Sequence, residues 1–501
     1  MNPIDRVIGW IAPAAGLRRL QARAAIDIVT ASRGYDGAKR GRRGNGRSPS
    51  TSANAEVGPA QVMLRNRARD LVRNNPHAAR IVDVLTANLV GAGIQPVSKT
   101  GRKSVDKKVN ALWSQFAATA DADGQLDIYG LQALAVREMV QSGESVSRFR
   151  MRRPEDGLAV PLQIQVMEPD HIDSSKDAFA NGERTLLGVA FNKIGARRGY
   201  WLFREHPGEQ RQLQPLESVF VPADEVMHLF RKQRPGQVRG VTVFAPIMMM
   251  TRDHADFHEA AVTKGRIEAC FAGFVKNTEG EPIQVGSDGK ASPSTGLPVQ
   301  TIEPGMLHRL NPGEDVVFSQ PTSSPIFDSF MVHTLMAIAI GAGVTYDQLT
   351  GDLRQANYSS LRAGKIEFRR LVEQIQYHVI IPMLCMPTWR KFIETAILTG
   401  ALPRRPEGYP VDWITPANEP IDPVKDMTAD ILAVRSGRMT VAQFFASWGN
   451  DPMTQLDEIQ KYNKLLDDMS IVLDIDPRKV ARAGSAQPTT PAPEAEPADQ
   501  A

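Results

Sequence analysis

Between Pro246 and Phe274 the chain gives a helix nothing to stop on except Gly265 and Gly273. At ~1.5 Å per residue such a helix is roughly 40 Å long. That is a rod, not an element that folds back over a small core. Two further helical runs follow. Pro325 to Gly343 carries Ile326, Phe327, Phe330, Met331, Leu335, Ile338 and Ala339 on its apolar side. Ser360 to Leu398 is striped by Ile366, Phe368, Leu371, Val372, Ile375, Val379 and Ile380, with Pro382 and Pro387 set to kink or split it. A polar stretch joins the second rod to the third. A connection of about fifteen residues tied between long helices is either disordered or functional.

The rest of the chain is organised around these rods. At 501 residues it is too long for a single core. Helices are expected at 60–73, from Pro76 to Leu89, at 103–118 and at 128–142. Their apolar residues recur at helical spacing, with Arg65, Arg67, Arg69 and Arg73 lying between them in the first. Alternation over Ser145–Met151, Leu162–Met167, Leu187–Asn192, Gly199–Phe203 and Glu225–Phe230 predicts strands. Residues 60–245 therefore read as an α+β domain, and the fold class is α+β, mainly helical. Three helices are expected near the C-terminus, at Pro423–Ser436, Thr440–Trp448 and Met453–Asp468, before an Ala/Pro/Glu/Thr tail at 476–501. Short strands are expected over Val299–Leu310 and a helix over Leu17–Val29.

Charge is uneven. The net value is only +3, yet residues 1–80 hold 15 Lys and Arg against 5 Asp and Glu. Glycines and Lys39, Arg40, Arg42, Arg43 and Arg47 dominate the stretch 32–59, which buries too little apolar area to offset its backbone entropy. Residues 1–59 read as a flexible basic arm, suited to a neighbouring surface or to nucleic acid. The two cysteines, Cys270 and Cys385, sit in apolar helical patterns and form neither a disulfide framework nor a zinc site. Ile326 to Val344 contains Asp328 and His333, which leaves too short an uncharged span for a bilayer.

Catalytic chemistry is poorly signalled. His254 and His258 stand at i,i+4, a metal-ligand spacing, but Ala255 follows the first histidine where zincin chemistry needs Glu, and no third ligand is marked. A polar, solvated helix face is the expectation for them. Gly289-Lys290 and Gly364-Lys365 lack the upstream glycine of a phosphate loop. No catalytic residue, metal centre or cofactor is read. On the long helix Arg252, Asp256, Glu259, Lys264 and Arg266 mix signs, whereas a tight DNA clamp needs clustered cations. Mixed sign suits a wall past which a polyanion slides without sticking.

Several segments resemble one family. Leu64-Arg65-Asn66-Arg67-Ala68-Arg69-Asp70-Leu71-Val72-Arg73-Asn74-Asn75-Pro76, then Asn88-Leu89-Val90-Gly91-Ala92-Gly93-Ile94, is similar to the N-terminal signature of lambda-type bacteriophage portal proteins. Arg239-Gly240-Val241 with Phe244-Ala245-Pro246 resembles that family's approach to its stem. Tyr346-Asp347-Gln348-Leu349-Thr350-Gly351-Asp352, with Asn357-Tyr358-Ser359-Ser360-Leu361-Arg362-Ala363-Gly364, resembles its tunnel-loop region.

The resemblance implies a portal fold with wing, stem, clip and crown. The arm would be 1–59, the wing 60–245, the first stem helix 246–274, the clip 275–324 and the second stem helix 325–344. The tunnel loop would be 345–360, a long kinked wing helix 361–415, the helical crown 416–475 and a disordered tail 476–501. Asp347, Gln348, Asp352, Arg354, Gln355 and Asn357 would face the channel from the loop, and the five mixed charges of the long helix would face it from the stem. The family forms rings, usually of twelve subunits, through which double-stranded DNA passes at a capsid vertex. Implied partners are the terminase large subunit, head-completion or adaptor proteins, and major capsid and scaffold proteins, with assembly in a host bacterial cytoplasm and no membrane. Two other readings remain open on sequence: a monomeric DNA-binding protein acting through the basic arm, and a metalloenzyme using His254 and His258.

Overall fold

The computed structural model describes residues 50–180, 182–209, 217–269, 273–277, 314–318, 327–354, 358–417, 420, 422–473, 476 and 478. For 267–269, 273–277, 314–318 and 358–360 only the backbone is described. The chain divides into two compact units, Met1–Glu56 and Val57–Ala501. The first is described only from residue 50, where helix α1 (Ala53–Asn74) begins. The expected helix at Leu17–Val29, the basic arm residues, the strands expected over Val299–Leu310 and Cys270 lie outside the described residues.

Helix α1 starts at Ala53, not near residue 60, and runs through Pro59. Pro59 is the seventh residue of the helix, so its missing N–H removes one hydrogen bond from the second turn. Asn75 then caps α2 (Pro76–Leu89), its side chain accepting from the N–H groups of His77 and Ala78, with Pro76 at the first helical position. Next come α3 (Lys103–Ala118) and α4 (Ile128–Ser142), the latter capped by Asp127 and closed by Gly143 at φ 94°.

Two sheets follow. Strand β2 (Glu144–Met151) pairs antiparallel with β3 (Leu162–Met167) on one side and β9 (Val226–Phe230) on the other. The second sheet is a meander of β4 (Ala178–Ala180), β5 (Glu183–Leu186), β6 (Val189–Phe191), β7 (Arg197–Phe203) and β8 (Ser218–Pro222). The strand expected over Leu187–Asn192 is cut short at its start. Leu187 adopts φ +51°, its N–H bonded to Asp177 at 2.7 Å, and a Cβ on Gly188 would lie 2.6 Å from the carbonyl oxygen of Asp173. A turn therefore precedes β6. The facing sides of the two sheets enclose one core, with Val146, Met167, Leu202, Val221 and Val226 at its centre.

A larger core joins distant parts of the chain. It combines α2, α3 and α4 with α6 (Phe327–Ala342), α8 (Tyr358–Ile375) and α9 (Met386–Leu398). Trp113 and Phe116 of α3 meet Trp389 and Phe392 of α9, with ring centroids 5.1–5.4 Å apart between the helices. Strand β12 (Val411–Ile414) returns to pair with β1 (Gln95–Ser98), a pairing that alternation over four residues did not reveal. Between α8 and α9 the backbone runs as a π-helix over Gln376–Cys385. Pro382 lies inside it, so the expected break is absorbed by wider turns and the rod stays continuous. Buried Cys385 has its thiol pushed up by desolvation and is inert packing.

Helix α5 (Met248–Ala269) is shorter than expected, 22 residues or roughly 33 Å. Gly273 and Phe274, read as its end, belong instead to β10 (Gly273–Asn277), which pairs with β11 (Glu314–Phe318). The polar connection is not structureless. It opens with a short helix, α7 (Tyr346–Thr350), closed by Gly351 at φ 70°. The C-terminal part is α10 (Pro423–Arg435), α11 (Val441–Ser447) and α12 (Pro452–Asp468), capped by Asp422, Thr440 and Asp451. None of the three buries a residue completely, and Val424, Leu432, Tyr462 and Leu465 are exposed. No described helix is long and apolar enough to cross a membrane.

Candidate functional site

The root of α5 is built by close backbone approach. A Cβ on Gly240 would sit 2.0 Å from the carbonyl oxygen of Gly143, and one on Gly143 would sit 2.4 Å from the Thr242 nitrogen. Only glycine fits both positions, so the chain leading from β9 to α5 is pressed onto the α4–β2 junction. The Thr242 hydroxyl donates to the Gln141 carbonyl at 2.6 Å. Phe244, Ile247 and Met248 then enter the large core.

Beneath this crossing lies a buried charge cluster that sequence reasoning did not anticipate. Arg239 is the largest fully buried side chain of the described residues. It forks onto Glu144, also fully buried, at 2.6, 2.9 and 3.0 Å. Glu144 further accepts from the Gly240 N–H at 2.7 Å and from Gln61 of α1 at 2.5 Å, and meets His228 Nε2 at 2.9 Å. Burial opposes ionisation of Glu144, but the Arg239 charge and the His228 hydrogen bond hold it well below the usual carboxylate range. Burial pushes His228 down to about 4, despite the pull of Glu144. Arg197 bonds the other His228 nitrogen at 2.8 Å. The signal available in sequence was the Arg239-Gly240 pair, which was quoted for its likeness, not for its chemistry.

A second network corrects the reading of α1. Arg65, read from sequence only as lying between apolar positions, is buried and bonds Asp170 at 2.8 Å. Arg69, one turn on, bonds Glu138, Glu168 and Asp170 at 2.8–2.9 Å. The face that periodicity left polar packs on carboxylates, not on water. Among the described residues one trio could reach a common metal ion, Glu168, Asp170 and His206. Its carboxylates are already neutralised by these two guanidiniums, so a cation would have to displace both.

Helices α5 and α6 run antiparallel. Ile247 packs on Gly341, where a Cβ would come within 2.2 Å of the isoleucine, while Phe257 meets Phe330 and Phe327 at 4.5 and 5.7 Å. The pair is rooted in the core through 244–248 and 335–342 and stands off it elsewhere. Beyond His254 no described residue of α5 is buried. Arg252, Asp256, Glu259, Lys264 and Arg266 are all exposed. At 100° per residue, Arg252, Asp256, Glu259 and Arg266 share a stripe about 80° wide, and Lys264 lies about 120° round from Arg252.

The two histidines part company. His254 is buried against His77 of α2, ring centroids 5.3 Å apart, with Nε2 unpartnered, whereas His258 is exposed. The expected polar face is thus wrong for His254, because α5 docks on α2 at that turn. Among the described residues the pair joins no trio of side chains placed to share an ion.

In the polar connection, Asp347 and Gln348 lie on α7, half-buried. The Gln348 side chain accepts the Thr345 N–H at 3.0 Å in a capping box, and its backbone carbonyl accepts from Arg80 of α2 at 3.0 Å. Asp352 and Arg354 clasp each other at 2.8 and 2.9 Å, and the Arg354 side chain is 86% exposed. Those hydrogen bonds hold Asp352 at about 2. Gln355 and Asn357 lie outside the described residues. The site therefore consists of a projecting helix pair with a mixed-charge stripe, and a polar segment that α7 fixes beside α2.

Comparison with known proteins then places this geometry. The model of the lambda family of phage portal proteins matches residues 39–376. A probable portal protein of Halomonas phage phiHAP-1 is 26% identical over 449 residues, covering 85% of this chain and 83% of that protein. Portal protein B of Escherichia phage lambda is 22% identical over 485 residues, covering 83% and 87%. Among solved structures, the neck of a native gene transfer agent particle computed with C12 symmetry aligns at TM-score 0.44 and 14% identity, over 79% of this chain and 99% of that one. That last likeness is too loose to carry an argument.

Proposed function

The chain belongs to the lambda family of phage portal proteins, and from that membership we propose the following working arrangement. Copies of this chain close into a ring of about twelve at one capsid vertex, with the α5/α6 pair lining the hole. DNA enters through that hole during packaging, is retained, and leaves through it on ejection. One observation carries the channel assignment: a helix pair that leaves the core presents a stripe of two cations and two anions instead of one sign. A surface that must let a polyanion slide gains from a field that averages to zero, since clustered cations would bind phosphates and hold them.

Apolar residues beside the stripe support a ring. Met249 is 62% exposed and Ile340 79%, on helices whose distal parts no described element covers. Exposed apolar surface of this kind is covered by a neighbour, and heterologous contacts close into rings when the rotation per copy is right. In this arrangement 60–245 is the wing, braced by 361–415, and 246–274 and 325–344 form the stem. Residues 275–324 form the clip, docking the terminase large subunit and then head-completion proteins. Residues 416–475 form the crown inside the head, where the uncovered faces of α10, α11 and α12 meet neighbouring copies. Asp352 and Arg354, with Gln355 and Asn357, form the segment facing DNA. Lys39, Arg40, Arg42, Arg43 and Arg47 contact a neighbouring subunit, scaffold or packaged DNA. Assembly takes place in the host cytoplasm with major capsid and scaffold proteins, and the chain acts structurally, without catalysis.

The stripe can be tested directly. Asp256→Lys with Glu259→Lys turns the face uniformly cationic while leaving the core untouched. Rings should still form, and packaging of full-length genomes should fail or slow markedly. Normal packaging by such rings would refute the assignment of this face to the channel.

A further inference from the structure

The two-sheet region carries a group of arginines that neither the family membership nor the channel explains. On one face of β2, Arg148 and Arg150 stand two residues apart, so their bases are about 7 Å apart, and Arg152 follows just past the strand's end. Arg148 and Arg150 line a cleft of about 440 Å³ between the two sheets. Met167, Leu202 and Val219 floor it, and Arg148, Arg150 and Arg204 wall it.

The arginines are held in place mainly by neutral groups. The side-chain oxygen of Gln165 accepts from Arg150 Nε and Nη2 at 2.9 and 2.5 Å, and that of Gln163 accepts from Arg152 Nε at 2.6 Å. Glu225 meets Arg148 at 3.2 Å. Arg148 Nε is buried without a hydrogen-bond partner. Burial, together with the neighbouring charges of Arg148 and Arg152, pulls Arg150 below its ordinary value, the mark of a site short of negative charge. A fold that needed these cations only for stability would give each a carboxylate, as it does for Arg65, Arg69 and Arg239. Glutamine carbonyls orient a guanidinium without neutralising it.

We propose that this cleft binds an acidic, extended peptide segment of a partner protein. Alternate carboxylates along an extended strand repeat at the same ~7 Å as the arginine row. An apolar side chain preceding them fills the floor, and the carboxylates meet the guanidiniums of Arg148, Arg150 and Arg204 that wall the cleft. Arginine forks suit planar carboxylates. The apolar floor and the small volume argue against a duplex backbone, which offers neither an apolar side chain nor a single strand narrow enough to enter.

The test uses the full chain and a fluorescein-labelled peptide of one leucine followed by three glutamates alternating with alanine, read by fluorescence anisotropy. Saturable binding is expected, weakening as salt is raised. Arg150→Gln with Arg204→Gln, both on the cleft wall, should weaken it at least about tenfold. Gln165→Glu, whose side chain only accepts from Arg150, neutralises that arginine in place and should weaken binding without lowering the unfolding midpoint. A lysine-for-glutamate peptide should not bind. The proposal is overturned if the acidic peptide shows no saturable binding, if neither variant changes it, or if a short DNA duplex binds the site more tightly and displaces the peptide.

Discussion

Arg239→Met is the most informative single perturbation of this fold. The change keeps an unbranched apolar stem and removes the guanidinium. Glu144 then loses three contacts of 2.6–3.0 Å, and the carbonyl of Leu187 loses a donor at 2.9 Å. What remains around Glu144 is the Gly240 N–H, Gln61 and His228. These are neutral donors around a carboxylate with no measurable exposure. Removing one partner of a buried ion pair typically costs about 3–5 kcal/mol, because the other charge is left uncompensated. That range is expected here for unfolding in urea followed by circular dichroism.

The companion variant Arg239→Met with Glu144→Gln removes the stranded charge as well. It should recover about 1–3 kcal/mol relative to the sum of the single losses, the coupling typical of residues in one network. A loss below about 1 kcal/mol for Arg239→Met, or strict additivity in the double variant, would refute the claim that this pair anchors the root of α5.

Three further outcomes follow from the same geometry. Gly240→Ala places a methyl 2.0 Å from a backbone oxygen that cannot rotate away and should cost about 3 kcal/mol, whereas Gly265→Ala, exposed within α5 and facing open space, should stabilise by roughly 0.5–1 kcal/mol; urea midpoints of the two variants check the contrast. The folded-state value of His228 lies at about 4, below the ordinary 6.5, so the unfolded chain takes the proton first; this stability is fully present above pH 6.5 and falls by about 3 kcal/mol as pH drops to 4, with Glu144 adding to the loss at the acid end. His228→Gln should flatten the stability profile between those pH values, and an unchanged slope would contradict the assignment. Deleting 352–356 removes the Asp352–Arg354 clasp but leaves α7 and its cap intact, so rings should assemble and packaging or retention of DNA should fail, measured as full-length genomes per particle.

Much of the architecture was legible because the residues that specify it act locally. Asn75, Asp127 and Thr440 cap helices that were expected to begin beside them, and α3, α4 and β3 end within a residue of where periodicity put them. What was missed depends on distant partners. Strand β1 is four residues long and becomes a strand only because β12 returns from more than 300 positions away. Arg65 and Arg69 look like solvent charges until Asp170, Glu138 and Glu168 are folded against them. His254 looks polar until α2 covers it with His77. The turn of α7 was hidden because Thr345 and Gln348, spaced as a capping box, were read as loop polarity. For the site, the sequence supplied the charge stripe, but not which of its members share a face; Lys264 is set apart by helical geometry alone.

The central claim is that copies of this chain close around an opening wide enough for duplex DNA. Native mass measurement of the purified protein, paired with negative-stain microscopy of the same sample, tests it most directly. Twelve chains of 55.0 kDa give a particle of about 660 kDa, seen end-on as an annulus with a stain-filled centre. A sample that stays at the mass of one chain across assembly conditions, or that forms closed particles with no central hole, would contradict the account.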